Sequence, residues 1–179
     1  MVYMLLGTGF EETEAIAPID LLRRAGVQVQ TVGLNGKVVY GGHGIGIEAD
    51  ITVSEMDLSQ LEMIVLPGGL GGVASIKASA TAMDAIRYAY EKQAYVAAIC
   101  AAPTILAELG MLTGRTAVCY PGCEEGMMDV TITDLPAVRD GNIITGTSAG
   151  CAVSFGLALI EALKGHAEAQ RIVQQIVIR

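Results

Sequence analysis

YVAAICAAPTILAEL, residues 95–109, decides the fold. Tyr95–Ile99 is a run of five apolar residues without a charge, too short for a helix. It reads as a strand covered on both faces. A helix follows from Ala102 or Pro103 to Leu109, with proline near the first helical position, where its missing N–H costs nothing. A buried strand running directly into a helix is half of a βαβ unit. Cys100 stands alone at the junction.

The same grammar extends in both directions. Val2–Leu6, Val27–Val32 and Met63–Leu66 read as strands, as do Thr116–Cys119 and Asn142–Thr145. A helix is predicted over about Thr13–Ala25, because Ala15, Ile19 and Leu22 fall on one face and Gly26 closes it. Further helices are predicted over Ala80–Gln93, Ala149–Leu163 and His166–Ile176. Residues 37–52 hold four glycines and alternate weakly, which suggests an antiparallel hairpin. Strands alternating with helices imply one α/β domain over residues 1–179, with a mostly parallel sheet between helical layers. Ligands in such folds sit beyond the carboxyl ends of the strands. Gly7-Thr8-Gly9, Pro67-Gly68-Gly69, Cys100 and Gly146–Gly150 all fall there.

Composition narrows the function. Hydrophobic residues make up 52% of the 179, with no Trp and two Phe, so the core is aliphatic. The net charge is -8, and no basic cluster exceeds Arg23-Arg24, which argues against nucleic acid as a partner. No run approaches the ~18 apolar residues of a membrane span, and MVYMLLG is too short for a signal peptide. A cytoplasmic location with reduced thiols is the expectation. Cys100, Cys119, Cys123 and Cys151 form no C-x-x-C pair and lack zinc-site spacing, so four free thiols and no metal are expected.

Cys100 is the leading candidate for chemistry. At the start of a helix its sulfur faces free N–H groups, which favour the thiolate. The amides of Gly69, which ends the neighbouring strand, and of Ala101, just after the thiol, are placed to hold an oxyanion. Glu11, Glu12 and Glu14 open the first helix. Glu11 and Glu12 suit the helix dipole. Glu14 differs, because Pro18 four residues later cannot donate to its carbonyl; the loosened turn can aim the Glu14 carboxyl inward, toward Cys100.

Two motifs mislead. In Gly7-Thr8-Gly9 the third glycine of a dinucleotide loop is replaced by Glu12, and no ribose-binding acid ends the second strand. Gly146-Thr147-Ser148-Ala149-Gly150 matches a serine nucleophile elbow. No Asp follows Ser148, however, and Glu161 and His166 lie at the far end of the helix it opens, roughly 20 Å away at ~1.5 Å per residue. The segment reads instead as a second helix start, with Thr147 and Ser148 facing the Cys100 pocket.

G-F-E-E-T-E at 9–14, L-P-G-G at 66–69, A-I-C-A-A-P-T at 98–104, Y-P-G at 120–122 and T-S-A-G at 147–150 together resemble the DJ-1/ThiJ/PfpI superfamily, closest to its protein-deglycase branch and bacterial relatives. The resemblance implies a flavodoxin-like, class I glutamine amidotransferase-like three-layer sandwich and a homodimer. It implies Cys100 as nucleophile or redox sensor, Glu14 as its carboxyl partner, Gly69 and Ala101 as oxyanion donors, and no cofactor. The implied substrates are small carbonyl compounds, α-oxoaldehydes such as methylglyoxal or their protein adducts. The alternative is an oxidative-stress sensor or chaperone-like protein working through Cys100 oxidation. Peptidase-like members carry His after the nucleophile, where this chain has Ala101; several deglycase-like members carry His where it has Tyr120. Neither His43 nor His166 is placed to replace them, so peptide hydrolysis is not expected.

Overall fold

The computed structural model describes residues 1–178. Its elements run β1 (Val2–Leu6), α1 (Glu12–Arg24), β2 (Val29–Gly33), β3 (Val38–Tyr40), β4 (Gly46–Glu48), β5 (Ile51–Thr52), β6 (Met63–Leu66), α2 (Leu70–Ala78), α3 (Ala80–Glu91), β7 (Tyr95–Ile99) and α4 (Pro103–Glu108). They continue through β8 (Thr116–Ala117), β9 (Thr131–Ile132), β10 (Ala137–Asp140), β11 (Ile143–Gly146), α5 (Ala152–Lys164) and α6 (His166–Gln175). Seven strands form one sheet in the order β10-β11-β7-β6-β1-β2-β5, parallel throughout except for β10 against β11.

Alternation along the strands builds two cores. Val2, Met4 and Leu6, with Val65, Ala97, Ile99 and Ile144, pack under α1, α5 and α6. Tyr3 and Leu5, with Ile64, Leu66, Val96 and Ala98, pack under α2, α3 and α4. Both faces are covered, so β1, β6 and most of β7 are buried and aliphatic, and the expected three-layer sandwich is observed. On one face α1 and α5 approach closely at Gly156. A Cβ there would lie 2.7 Å from Leu21 Cδ1 and 3.2 Å from Pro18 Cα.

Some elements differ from expectation. The hairpin is confined to β3 and β4, and Ile51–Thr52 instead joins the sheet edge beside β2. Thr116–Ala117 lies off the main sheet, paired in parallel with β9. The helix expected from Ala149 begins with a 3-10 turn at Ala149–Cys151, and α5 proper starts at Ala152. Helix α2 and strand β10 are additions. Gly71 and Gly72 lower the helix propensity of α2, yet tertiary packing holds it. A Cβ on Gly72 would lie 2.7 Å from Phe10 Cα, and one on Gly71 would lie 3.0 Å from Gly9 Cα. The glycines of the 7–9 loop and of α2 therefore interlock backbone against backbone, which gives Gly7-Thr8-Gly9 a packing role.

Gly156→Val is expected to cost about 1–3 kcal/mol by overpacking the α1–α5 contact, at about 2–4 °C of Tm per kcal/mol for a chain of this size. Thermal unfolding with an unchanged Tm would refute the close contact.

Candidate active site

The carboxyl ends of β1, β6, β7 and β11 align at one edge of the sheet, because Met4 pairs with Val65, Leu66 with Ala98, and Ile99 with Gly146. Beyond that edge lies a cavity of about 500 Å³. Its lining includes Glu11, Glu14, Gly69, Cys100, Ala101, Tyr120 and Ser148.

Cys100 is held with φ of +67°, in the left-handed region that a residue with a side chain enters at a cost of roughly 1–3 kcal/mol. Three hydrogen bonds fix the turn. The Cys100 N–H donates to Gly146 O at 2.9 Å, the Tyr120 N–H donates to Cys100 O at 2.8 Å, and the Ala102 N–H donates to Ile99 O at 3.1 Å. The sulfur is directed to the N–H groups of Ala101 and Gly69, and both favour its ionised form. Gly69 reaches this position with φ of +82°; a Cβ there would lie 2.5 Å from Gly9 O.

Glu14 lies in the first turn of α1 with no exposed surface. Its Oε2 accepts the Gly68 N–H at 2.8 Å, while Oε1 is buried without a conventional partner. Gly68 is wedged between the two groups. A Cβ there would meet Glu14 Oε2 at 2.5 Å and Cys100 Cβ at 2.7 Å. Burial pushes the Glu14 carboxyl up to about 7, against the opposing pull of its hydrogen bonds to the thiol and to Gly68. Burial, followed by the negative charge of Glu14, pushes the Cys100 thiol up to about 12.

That last result corrects the expectation of a thiolate stabilised by a helix start. Helix α4 has only six residues, and the two amide donors do not outweigh desolvation and the adjacent carboxylate. At rest the thiol keeps its proton, and the nearest group able to receive it is Glu14.

The other candidates divide. Tyr120 is half exposed at the pocket mouth, and Ser148 lines the wall beside Ala149 and Gly150. Thr147 does not line the pocket. Its N–H donates to Pro136 O at 3.1 Å and its hydroxyl to Leu135 O at 2.6 Å, so the side chain is spent on the segment leading into β10. Glu11 lines the pocket, and its backbone N–H donates to Gly68 O at 3.0 Å. Glu12 does more than complement a helix dipole. Its Oε1 accepts the His43 N–H at 2.8 Å and its Oε2 meets His43 Nδ1 at 2.9 Å, tying the β3–β4 hairpin to α1. Glu11, Glu12 and His43 are the one group among the described residues with donor atoms close enough for a metal, within 4.8 Å, and Glu12 is already satisfied by the hairpin. His166 pairs with Glu161 at 3.2 Å, beyond the cavity lining. Cys123 also lines the cavity, which the sequence reading missed; the signal was the Y-P-G turn that folds residue 123 back toward residue 120.

A parallel α/β sandwich with a cysteine in a strained turn at the strand ends, beside a buried carboxyl, defines the structural class. The DJ-1/PfpI family matches residues 1–162, and the chain belongs to it. It is similar to the protein dj-1beta of Drosophila melanogaster, 34% identical over 178 residues, covering 98% of this chain and 95% of that protein. A deglycase of Pyrococcus abyssi is 27% identical over 165 residues, covering 91% of this chain and 99% of the deglycase. The crystal structure of a cysteine-to-alanine mutant of a DJ-1 superfamily protein from Salmonella typhimurium superposes with a TM-score of 0.93 at 32% identity, covering 99% of this chain and 98% of that one.

The raised Glu14 carboxyl has a consequence for stability. In the unfolded chain it loses its proton near the ordinary value of 4.5, and in the folded protein only near 7. Between these values the unfolded state binds fewer protons, so the contribution of Glu14 is full below 4.5 and falls as pH rises to about 7, by on the order of 3 kcal/mol. Glu14→Gln removes the titration. The Tm of the variant is expected to gain on wild type from pH 5 to pH 8; a constant difference across that range would show that the carboxyl is not raised.

Proposed function

We propose that the protein carries out cysteine-dependent, cofactor-free chemistry on small uncharged α-oxoaldehydes such as methylglyoxal, or on their adducts, with Cys100 as nucleophile and Glu14 as proton carrier. The observation that carries this reading is the buried Glu14 carboxyl, poised near 7 against a thiol that faces two backbone N–H groups. A general base works best with a pKa near the operating pH.

The steps follow from the placement. Cys100 Sγ adds to the aldehyde carbon as its proton passes to Glu14, and the Gly69 and Ala101 amides hold the developing oxyanion. Glu14 returns that proton to the oxyanion, which gives a hemithioacetal and frees the carboxylate. Glu14 then takes the proton from the former aldehyde carbon and delivers it to the neighbouring carbon, while the hydroxyl proton passes to the ketone oxygen. This leaves a thioester of a 2-hydroxy acid. Water releases the acid and restores the thiol, so the net change is addition of one water to the dicarbonyl.

The pocket supports uncharged carbonyls in particular. Its ionisable carboxyls are Glu11 and Glu14, and among the described residues no Lys, Arg or His lines it. An anionic keto acid would meet like charge there. Peptide cleavage is disfavoured, because an amine leaving group needs a general acid placed to protonate it, and Ala101 and Tyr120 occupy the positions where family members carry histidine. The similarity to a deglycase is consistent with this substrate class. A second reading, oxidation sensing at Cys100, is favoured by the same lack of a histidine base.

Methylglyoxal turnover is the primary test. Cys100→Ser should abolish it, and Glu14→Gln should lower it by roughly 10²–10⁴-fold while the fold persists. Glyoxylate should be consumed far more slowly than methylglyoxal. Turnover that survives Cys100→Ser, or casein cleavage lost in that variant while methylglyoxal turnover remains, would overturn the proposal.

We also propose a homodimer. Ile16 on α1 and Val153 on α5 are exposed on helices that pack together, and the β3–β4 hairpin exposes Val38, Tyr40 and Ile45. Light scattering at micromolar concentration should give twice the 18.6 kDa chain mass, and the single-chain mass would refute it.

A further inference from the structure

We propose that Cys123 is the resolving thiol for Cys100, giving the cavity a hydroperoxide-reducing activity that ends in a Cys100–Cys123 disulfide. The inference rests on the reading of Cys100 as the reactive thiol.

Both cysteines line the same cavity. Two hydrogen bonds fix their relation: the Tyr120 N–H donates to Cys100 O at 2.8 Å, and the Cys123 N–H donates to Tyr120 O at 2.9 Å. Tyr120-Pro121-Gly122-Cys123 is thus a hydrogen-bonded β-turn strapped to the backbone of Cys100. Proline in second place and a third residue with φ of +92° are the marks of a type II turn. Such a turn brings Cys123 back beside Tyr120. Among the described residues nothing lies within 4 Å of a Cβ built on Gly122, so no packing holds the outer side of the turn there. Disulfide closure requires Cα atoms within about 7 Å, so the 120–123 turn is the element that must bring Cys123 to Cys100.

The remaining cysteines do not line the cavity. Cys119 is buried in the core, near enough to Cys123 for that thiol's charge to help push it up, but outside the cavity lining where Cys100 stands. Cys151 also lies outside it, and its sulfur faces the Ser148 hydroxyl at 3.8 Å. Chemistry separates the two thiols by their neighbours: both are pushed up by burial, and what marks Cys100 as the first to attack is the proton acceptor beside it. The carboxyl that accepts a thiol proton stands beside Cys100.

The reaction balances with a hydroperoxide as oxidant. Cys100 Sγ attacks the terminal oxygen, the O–O bond breaks, and the alcohol, or water for hydrogen peroxide, leaves with the thiol proton. Cys100 is now a sulfenic acid. Cys123 Sγ attacks that sulfur, the S–S bond forms, and the hydroxyl leaves as water with the Cys123 proton. An external dithiol restores both thiols by exchange. Without Cys123 the sulfenic acid persists, and a second peroxide takes it to sulfinic acid, which thiols do not reverse.

The test is one equivalent of hydrogen peroxide added to the reduced full chain, read by intact mass and by fragmentation of linked peptides. Wild type should lose about 2 Da, show Cys100 joined to Cys123, and recover fully with dithiothreitol. Cys123→Ser and Cys123→Ala should instead gain up to about 32 Da at Cys100 as peroxide is increased, without recovery. Cys119→Ser and Cys151→Ser should behave as wild type. Wild type that gains the oxygens at Cys100 with Cys123 still reduced overturns the resolving role and leaves the reactive-thiol reading standing. A Cys100–Cys119 or a Cys119–Cys123 link overturns it as well. Cys100 left unoxidised, while methylglyoxal turnover also survives Cys100→Ser, defeats both.

Discussion

The ends of β6 and β7 meet the start of α1 where Gly68 has no side chain. Glu14 Oε2 and Cys100 Cβ would lie 2.5 Å and 2.7 Å from a Cβ at that position, so any larger residue would separate carboxyl from sulfur. The rest of the structure serves that contact. Helix α1 presents Glu14 to it from the start of its first turn. The type of backbone needed at Cys100, with φ of +67°, is secured by Gly146 O on one side and the Tyr120 N–H on the other. Both the strained turn and the buried carboxyl oppose stability, and the two aliphatic cores that sandwich the sheet offset them.

The interlock of Gly7–Phe10 with the start of α2 belongs to the same design. Gly69 supplies an N–H to the sulfur only because its backbone runs beside Gly9 and Phe10, where a Cβ would collide. Glycines that resemble half of a phosphate-binding loop are therefore explained by chain approach. Gly71 and Gly72 weaken helix propensity in isolation and strengthen packing in context, which is why α2 could not be read from sequence.

What sequence revealed and what it hid follow one division. Val2–Leu6, Met63–Leu66 and Tyr95–Ile99 were legible residue for residue, because strands covered on both faces must be aliphatic throughout. Ala137–Asp140 escaped because an edge strand may carry Arg139 and Asp140, and nothing local separates it from a loop. In the site, Cys100 and Glu14 were legible as positions at strand and helix ends. Thr147 was misplaced because the direction of its hydroxyl depends on Leu135, a partner twelve residues away that no local pattern reveals. Ionisation was hidden for the same reason. A helix start argues for a thiolate, while burial and a carboxylate from another part of the chain argue more strongly for the thiol.

The thiol's proton links the two chemistries proposed for the pocket. With its pKa pushed up to about 12, Cys100 presents almost no thiolate near neutrality, and the attack proposed on either an aldehyde or a peroxide would depend on transfer of its proton to Glu14. Glu14 can accept that proton only while ionised, the state that prevails above about 7. Its pKa is therefore a compromise. A more exposed carboxylate would be ionised at lower pH but would be a weaker base toward the thiol. A more deeply desolvated one would be protonated already and unable to accept. The burial that makes the carboxyl costly to fold is the same burial that brings it into the range where it can exchange a proton with sulfur, so the instability at Glu14 and the reactivity proposed for Cys100 have one physical origin.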